Sequence, residues 1–414
     1  MANEVNNKDL EELLIENQSN PKNDRLPVSW NPSSMHVKSF KRTIRTLQLD
    51  HSQKWWGLVS WIVGFVMILV IPILRLIYVK AGDNKSNHQL VFQPIVVVTG
   101  ILISAISFIF LSLSMRKYGV QGILFLDMAE EEPTDIREEY NKIIQRGATQ
   151  LAKLFIPALV LYVLQKCWFY IDIPLACLPL LNSRTASIII IAVLVGISWV
   201  FQTTTFLYVC VLFWKVCFLQ ELKMKMFKDL LAIGFDPEIY YNKYTSIIKC
   251  LQSTSRRFRL FLALTGSITV FSALASMYEM VAYHRKVSIF MTGELVVLNL
   301  VNLTGLGLCL KLASKISHLH RRIVKTASSV HAKATFAAAN GYALSRGSGF
   351  QEKMERLCQA QDAWSRRAAL VNFLTNNTAG ISLYGFVLDR FFVHTSIGAL
   401  LTTTWFLLGR SLSG

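Results

Sequence analysis

Charged residues are scarce in this sequence. Of its 414 residues only 17% are Asp, Glu, Lys or Arg, whereas 52% are hydrophobic. Soluble domains contain about 25% charged residues, so this composition argues against a soluble globular protein. Acidic residues are fewer than basic ones: the sequence has 26 Asp and Glu and 43 Lys and Arg, which gives a net charge of +17. The basic residues lie between apolar blocks, and this placement indicates membrane topology and not nucleic-acid binding.

Residues that mark catalytic and metal sites are few or badly spaced. The seven cysteines show neither a CxxC nor a Cys/His ligand spacing, so we interpret them as small core residues. His318 and His320 are not separated by the four positions that place a metal-binding pair on one helix face. The sequence has no glycine-rich phosphate loop, nucleophile elbow or paired catalytic carboxylates. We therefore predict no enzyme activity, no metal and no cofactor.

Long hydrophobic blocks are what the sequence has instead. A membrane-crossing helix needs about 20 mostly apolar residues, and seven blocks approach or exceed that length. They indicate an all-α, multi-pass integral membrane protein in contact with the lipid bilayer. The seven blocks are Trp55–Tyr78, Leu90–Met115, Leu151–Ile173, Ala186–Phe213, Leu260–Tyr283, Val287–Leu312 and Phe391–Leu408.

The positions of Lys and Arg predict the orientation. The segments 1–54, 116–150, 213–259 and 314–367 contain eight, five, nine and ten of these residues. The alternate connections contain only Lys80 and Lys85, then Arg184, then Arg285 and Lys286. Because basic loops stay in the cytoplasm, we expect a cytoplasmic N-terminus and an extracellular C-terminus. Residues 1–38 are interpreted as a disordered cytoplasmic tail, and residues 39–414 as one seven-helix transmembrane domain.

Helical periodicity continues beyond the membrane on the predicted cytoplasmic side. After Leu312, apolar residues recur at helical spacing through Ile323 and Val330. A second amphipathic helix is predicted over Glu352–Ala368. We expect these segments to form a cytoplasmic bundle from residues 213–259 and 314–378. The same spacing makes Ile323 and Val330 the predicted subunit contacts.

Four charged residues, Arg75, Lys166, Glu279 and Glu294, fall inside predicted membrane helices. Each costs about 2.5–3.5 kcal/mol near the bilayer centre unless it is paired. Either Arg75 or Lys166 can pair with either glutamate. With the aromatic and amide residues at the same depth, they suit a small-molecule pocket; the alternative is that the cations extend to the interface. The predicted pocket residues are Arg75, Gln93, Lys166, Trp168, Tyr170, Tyr278, Glu279, Glu294 and Asn299. Asn299 and Asn302 lie three apart and are expected to bond between helices.

The last apolar block suits either a pore or a packing surface. Leu401, Thr404, Leu408 and Leu412 recur at helical spacing and lie on one face. A ring of apolar side chains can close a pore by excluding water. Gly398 and the neighbouring threonines are equally suited to helix–helix packing.

The C-terminal residues resemble a known family. The run Asn376–Arg390 (NNTAGISLYGFVLDR), followed by His394-Thr395 and by Trp405–Arg410 (WFLLGR), is similar to a plant membrane-protein family catalogued as a domain of unknown function. That family is also called gustatory-receptor-like and is related to insect gustatory and odorant receptors. The resemblance implies seven helices with a cytoplasmic N-terminus. It also implies a homotetrameric, ligand-gated cation channel lined by the last helix.

The resemblance also implies roles for single residues in the last helix. If Thr404-Trp405 stands for the Thr-Tyr pair of the insect motif, Leu408 and Leu412 occupy the hydrophobic gate and Ser411 the polar ring. Arg410 then replaces an apolar residue. If the alignment shifts by one position, Arg410 enters the ring and opposes cations.

Two other functions stay open: a non-conducting receptor or scaffold, and a small-solute carrier. Carriers usually contain internal repeats, and none is found here. The expected partners are the bilayer, three further copies of the chain and an unidentified small molecule, with no nucleic acid. The expected location is the plasma membrane.

Overall fold

The computed structural model describes residues 54–82, 92–123, 149–167, 184–233, 237–282, 289–344, 350–391, 394–395, 398–399, 402 and 405. Nearly all of them are helical. Helix α1 consists of Lys54–Phe65 and Ile71–Gly82 joined by a π-helical turn, Val66–Val70. The further elements are α2 (Phe92–Ile123), α3 (Thr149–Cys167), α4 (Arg184–Ile233), α5 (Pro237–Ala282), α6 (Ile289–Leu344), α7 (Phe350–Asn376), β1 (Ser382–Leu383) and β2 (Phe386–Val387).

Six helices of the described chain, α1 to α6, are long and apolar enough to cross a membrane. They coincide with six of the seven predicted blocks, so the predicted all-α, multi-pass membrane fold is confirmed for this part. Of the seventh block, Phe391–Leu408, seven positions are described, and these are helical. Together with the helical Arg390 that precedes them, they belong to what we call the C-terminal segment (residues 390–405). Which side of the membrane each end faces stays a prediction.

Three of the helices are far longer than a membrane is thick. Helices α4, α5 and α6 contain 50, 46 and 56 residues. At 1.5 Å per residue they are about 70–85 Å long, against about 30 Å of hydrocarbon. About half of each helix must therefore project from the membrane. The projecting ends, together with α7, form a helical bundle on one side, which we call the projecting bundle. Its cytoplasmic location stays a prediction.

The core follows the contact between α4 and α6. Phe213 on α4 and Ile316 on α6 are completely buried in it. Close packing needs a small residue at Gly305, because a Cβ atom there would lie 2.8 Å from the ring of Phe206. Ile323 belongs to the same core and has no exposed surface. Its side chain is enclosed by its own chain, and the subunit contact predicted at Ile323 stays a prediction. Val330 is half-buried, and its predicted subunit contact stays a prediction.

The chain between α7 and the C-terminal segment forms a tight hairpin. Helix α7 is longer than the predicted Glu352–Ala368 and ends at Asn376. The two short strands pair Ser382 with Val387 and Leu383 with Phe386. The turn residues Tyr384 and Gly385 have φ angles of 48° and 93°. Two successive positive φ angles are typical of a type I′ turn, whose twist matches a β-hairpin. This hairpin lies inside the sequence motif that carries the family resemblance.

Candidate functional site: an ion cluster and a polar track between membrane helices

A buried cluster of three charges links three helices. Arg75 on α1 binds Glu294 on α6 through two hydrogen bonds of 2.6 Å, from Nη1 to Oε1 and from Nη2 to Oε2. Lys166 on α3 donates from Nζ to Oε2 of the same carboxylate at 2.7 Å. The three side chains are 5–8% exposed. We call Arg75, Lys166 and Glu294 the ion cluster. It carries two positive charges and one negative charge, so its net charge is +1.

The cost of burying charge explains why these residues are brought together. A charged side chain inside a membrane is stable only beside a partner, and a two-pronged Arg–carboxylate bond is the strongest arrangement available. From the sequence, either Arg75 or Lys166 could pair with Glu279 or Glu294, and extension of the two cations to the interface was the alternative. The structure shows that both bind Glu294. The side chain of Glu279, the other candidate, lies outside the described residues.

A stacked pair of aromatic side chains lies beside the ion cluster. The rings of Tyr162 on α3 and Trp199 on α4 are stacked, with centroids 3.9 Å apart and planes 8° from parallel. The ammonium group of Lys166 lies 5.4 Å from the centre of the Tyr162 ring, within the range of a cation–π interaction. The sequence analysis did not assign either aromatic residue to the pocket. The one feature that could have indicated them is their position well inside an apolar block, where an aromatic ring with a polar group is available to a site.

Two small cavities continue from the cluster toward the centre of the membrane. The first has a volume of about 40 Å³ and is lined by Arg75, Glu294, Tyr162 and Trp199, among others. The second, of about 20 Å³, shares Trp199 and Gln202 with the first. A single water needs roughly 10–15 Å³ and a drug-sized ligand needs 300 Å³ or more. The cavities therefore have room for a few waters, and a larger ligand requires the surrounding helices to move.

The second cavity ends at Asn302. This residue is 2% exposed, and its Nδ2 has no hydrogen-bond partner among the described residues. Asn299, one turn earlier, bonds between helices as expected: its side chain accepts from Ser272 Oγ at 3.1 Å and donates to Ser276 Oγ at 2.9 Å. From Glu294 to Asn302 the helix rises about 12 Å. We call this line of cavities and polar groups the polar track.

Other predicted pocket residues are not brought to the cluster or cannot be located. Tyr278 is 63% exposed and lines neither cavity. The side chain of Gln93, and the residues Trp168 and Tyr170, lie outside the described part. The ligand-binding role of the whole set stays a prediction.

The C-terminal segment has an exposed face. Phe391 and Trp405 are each 77% exposed, and His394, Gly398 and Thr402 are exposed as well. The residues predicted to form the pore and gate all lie outside the described positions: Leu401, Thr404, Leu408, Arg410, Ser411 and Leu412.

The hairpin that precedes this segment is held against the projecting bundle. Tyr244 Oη on α5 donates to the carbonyl of Asn377 at 3.0 Å and lies 2.8 Å from His320 Nδ1 on α6. Because the hydroxyl has one proton and gives it to the carbonyl, His320 must donate from Nδ1. Burial and the nearby Arg321 lower the pKa of His320, which lies beyond the membrane-crossing part of α6. His320 is therefore neutral at physiological pH.

Three further contacts hold the hairpin itself. Ser317 Oγ donates to the carbonyl of Leu388 at 3.0 Å. The amide of Ser382 donates to Ser255 Oγ at 3.1 Å. Arg321 forms a salt bridge of 2.8 Å with Asp389. We call these contacts, with the Tyr244 hydrogen bonds, the hairpin clasp. It fixes the backbone from which the C-terminal segment begins.

The fold combines long membrane-crossing helices with a projecting bundle and a hairpin before the last segment. This is the fold of an insect olfactory receptor. The structure is similar to that of the insect olfactory receptor OR5 from Machilis hrabei in complex with eugenol. The TM-score is 0.61 with 14% identity over 90% of this chain and 98% of that chain. The structure of the same receptor described without eugenol gives a TM-score of 0.62 with 13% identity and the same coverage. At this identity the likeness concerns the fold.

The sequence supplies the family. It matches the family described as "Protein of unknown function (DUF3537)" over residues 35–360 and 346–398. The chain belongs to that family, and the resemblance to a family of unknown function with an insect-chemoreceptor fold is confirmed. No curated protein matches the chain.

Proposed function

We propose that this chain is a subunit of a ligand-gated ion channel of the gustatory-receptor-like type. Four copies assemble around the C-terminal segment, which lines a cation-passing pore, and the N-terminus faces the cytoplasm of a cell with the channel in its plasma membrane. The observation that carries the proposal is the exposed face of the C-terminal segment. Exposed Phe391 and Trp405 leave this segment with surface for neighbouring copies.

The ligand site in this proposal is the polar track. The similar receptor from Machilis hrabei is described in complex with eugenol, and this supports a small aromatic molecule as the class of ligand. Beside the ion cluster, such a molecule can insert between the stacked rings of Tyr162 and Trp199 and direct a polar group at Arg75. Because the present cavity holds about 40 Å³, binding must separate α3 from α4. Because α4 continues into the projecting bundle, ligand binding that moves α3 away from α4 can also move the helices of that bundle.

The pore is tested by replacing Leu408 with Ser. If Leu408 and Leu412 form an apolar gate, Leu408→Ser hydrates it and raises the resting whole-cell current. Leu407→Ser, on a neighbouring face, is the matched control and should change the current less. A Leu408→Ser protein that reaches the cell surface and stays silent would support a non-conducting receptor or scaffold. Solute uptake without current would support a carrier.

Orientation and assembly are tested separately. A tag after Gly414 should be stained on intact cells, and staining only after permeabilisation would contradict the proposed topology. Native mass spectrometry of the purified chain should give the mass of four copies. Val330→Glu, on the half-buried face of the projecting bundle, should shift that mass toward one copy. A parent chain that is monomeric throughout would contradict the tetramer.

A further inference from the structure

The projecting bundle contains a groove to which the ion-channel proposal assigns no ligand. It has a volume of about 510 Å³ and lies between the start of α5, the far part of α6 and α7. We call it the bundle groove. Its apolar lining includes Tyr240, Val330 and Leu370, and its basic lining includes Arg366 and Arg367. A second hollow of about 460 Å³ shares Arg366 and Leu370 with it, so the groove continues along α7.

Two polar atoms of the bundle groove lack partners in the described part of the chain. His331 Nδ1 and Arg367 Nε are buried and have no hydrogen-bond partner among the described residues. Asp362 is the one carboxylate in the lining of the 510 Å³ groove, and Glu238 lines the adjoining hollow. No described carboxylate lies within ion-pair distance of Arg366 or Arg367. An apolar floor with unpaired donors and two guanidinium groups suits an amphipathic, acidic helix.

One segment of this chain has that chemistry. Residues 9–16, with the sequence DLEELLIE, contain four acidic residues and no basic one. Leu10, Leu13 and Leu14 recur at i, i+3 and i+4, the spacing that aligns apolar side chains on one helix face. On such a helix, Asp9 and Glu16 flank one side of that face and Glu11 flanks the other. This segment lies outside the described residues.

The connecting chain is long enough for the two to meet. Each of α1 to α6 crosses the membrane once, so the start of α1 lies on the same side as the far ends of α4 and α6. Val330 follows Leu312 by 18 residues, which places the groove about 27 Å beyond the membrane-crossing part of α6. The 37 residues between Glu16 and Lys54 span about 35 Å as a flexible chain. The tail therefore reaches the groove without being stretched.

We propose that residues 9–16 dock in the bundle groove as a short amphipathic helix, with the leucines on its apolar floor and the flanking carboxylates Asp9 and Glu16 on Arg366 and Arg367. The tail then folds on binding. Docking joins the N-terminal tail to α7, the helix that leads into the hairpin clasp and the C-terminal segment. The proposal does not depend on conduction, and its test measures no current.

Disulfide cross-linking in the full-length chain tests the contact. In a background in which Cys167, Cys177 and Cys358 are replaced by Ser, Leu13→Cys is combined with Ala363→Cys, which lies in the groove. After mild oxidation of the detergent-purified protein, this pair should form a disulfide. Two controls use the same chemistry. Ser19→Cys with Ala363→Cys moves the tail cysteine outside the segment, and Leu13→Cys with Phe336→Cys uses a residue that is 71% exposed and lies outside the groove.

Charge reversal then tests the recognition. Asp9→Arg/Glu16→Arg should lower the yield of the Leu13–Ala363 disulfide roughly tenfold, about the effect of losing two ion pairs. These changes lie in the tail and leave the described fold intact. Adding Arg366→Glu/Arg367→Glu should restore the yield. Equal yields for the groove pair and both controls, or a yield that ignores the charge reversal, would overturn the proposal.

A neighbouring subunit is the other possible occupant. In that case Arg366→Glu/Arg367→Glu alone would reduce the oligomeric mass in native mass spectrometry, and the Leu13–Ala363 pair would not cross-link above its controls. That result would assign the groove to the subunit interface and overturn docking of the tail. A docked tail predicts an unchanged oligomeric mass and a cross-linked product.

Discussion

The ion cluster and the hairpin clasp both join distant parts of the chain through polar groups, yet they do so in opposite ways. The ion cluster brings two basic side chains to one buried carboxylate, Glu294. The clasp distributes its bonds over neutral hydroxyls, backbone groups and one salt bridge whose Arg321 side chain is 69% exposed. In the cluster all interactions pass through one residue, whereas in the clasp they are shared.

Different surroundings account for the difference. Inside the membrane only the few waters that the small cavities have room for could replace a lost partner, so the charges must meet directly. In the projecting bundle, water reaches the exposed groups of the clasp, such as Arg321. The cluster should therefore be sensitive to single substitutions, and the clasp should lose stability gradually. The predictions below test this contrast, beginning with the largest effect.

Removal of the central carboxylate should have the largest effect. Glu294→Ala leaves Arg75 and Lys166 buried without a counter-charge, and breaking such a pair costs about 3–5 kcal/mol. The measurement is thermal unfolding of the detergent-solubilised protein. Asp229→Ala is the matched control, because it removes a carboxylate that is 74% exposed, and it should change little.

A triple variant sharpens the same comparison. Arg75→Met, Lys166→Met and Glu294→Leu together remove every charge of the cluster, and apolar replacement of a buried ion network is often neutral or stabilising. The triple variant should recover most of the stability that Glu294→Ala loses and should still lose the ligand response. If it were as unstable as Glu294→Ala, the charges would contribute more than mutual neutralisation.

Tyr244→Phe should have the next largest effect. It removes the hydroxyl shared by His320 and the Asn377 carbonyl, and leaving such buried groups unsatisfied costs about 1–3 kcal/mol. Tyr241→Phe, one turn away on α5 and 46% exposed, is the control and should be nearly neutral. Equal effects of the two substitutions would show that the shared hydroxyl contributes little to the clasp.

The hairpin turn should contribute somewhat less. Gly385 has a φ of 93°, where a side chain is strained, so Gly385→Ala should cost about 1–2 kcal/mol. Tyr384→Gly relieves the neighbouring positive φ and should be tolerated better. Protease resistance of the α7–hairpin junction in the purified protein reports both effects. A Gly385→Ala protein as resistant as the parent would contradict the positive-φ requirement.

The exposed salt bridge should contribute least. Arg321→Ala should cost at most about 1 kcal/mol, because exposed ion pairs are weak and screened by salt. The cost should decline as the salt concentration of the unfolding assay rises. A cost near that of Glu294→Ala would remove the distinction between the two regions.

The sequence predicted those parts of the fold that follow from hydropathy and periodicity. Length and polarity located the six described membrane helices, and apolar spacing predicted the extension of α6 past Leu312. The free-energy cost of a charge inside the membrane identified Arg75, Lys166 and Glu294 as candidate site residues. Hydropathy, periodicity and this cost can each be read from single residues or short segments, without knowledge of contacts between distant parts of the chain.

What could not be predicted depends on contacts between distant parts of the chain. Whether Arg75 and Lys166 would share one glutamate is decided by how three helices rotate, which periodicity does not specify. The same rotation places Tyr162 and Trp199 beside the cluster. Ile323 was assigned to a subunit contact because its spacing marks an apolar face. Spacing does not tell whether that face is covered by its own chain or by another.

The π-helical turn in α1 determines how the two ends of that helix are oriented. At Val66–Val70 the carbonyls of Met67 and Ile68 accept hydrogen bonds from α4, chiefly from Ser198 to Met67. A π turn holds one residue more than an α turn, so it shifts the rotational phase of everything beyond it by about 100°. The side chains of α1 before and after the π turn therefore point in different directions around the helix axis than they would in a continuous α-helix. Deleting one residue in this turn would leave Trp61 against Phe108 and turn Arg75 away from Glu294.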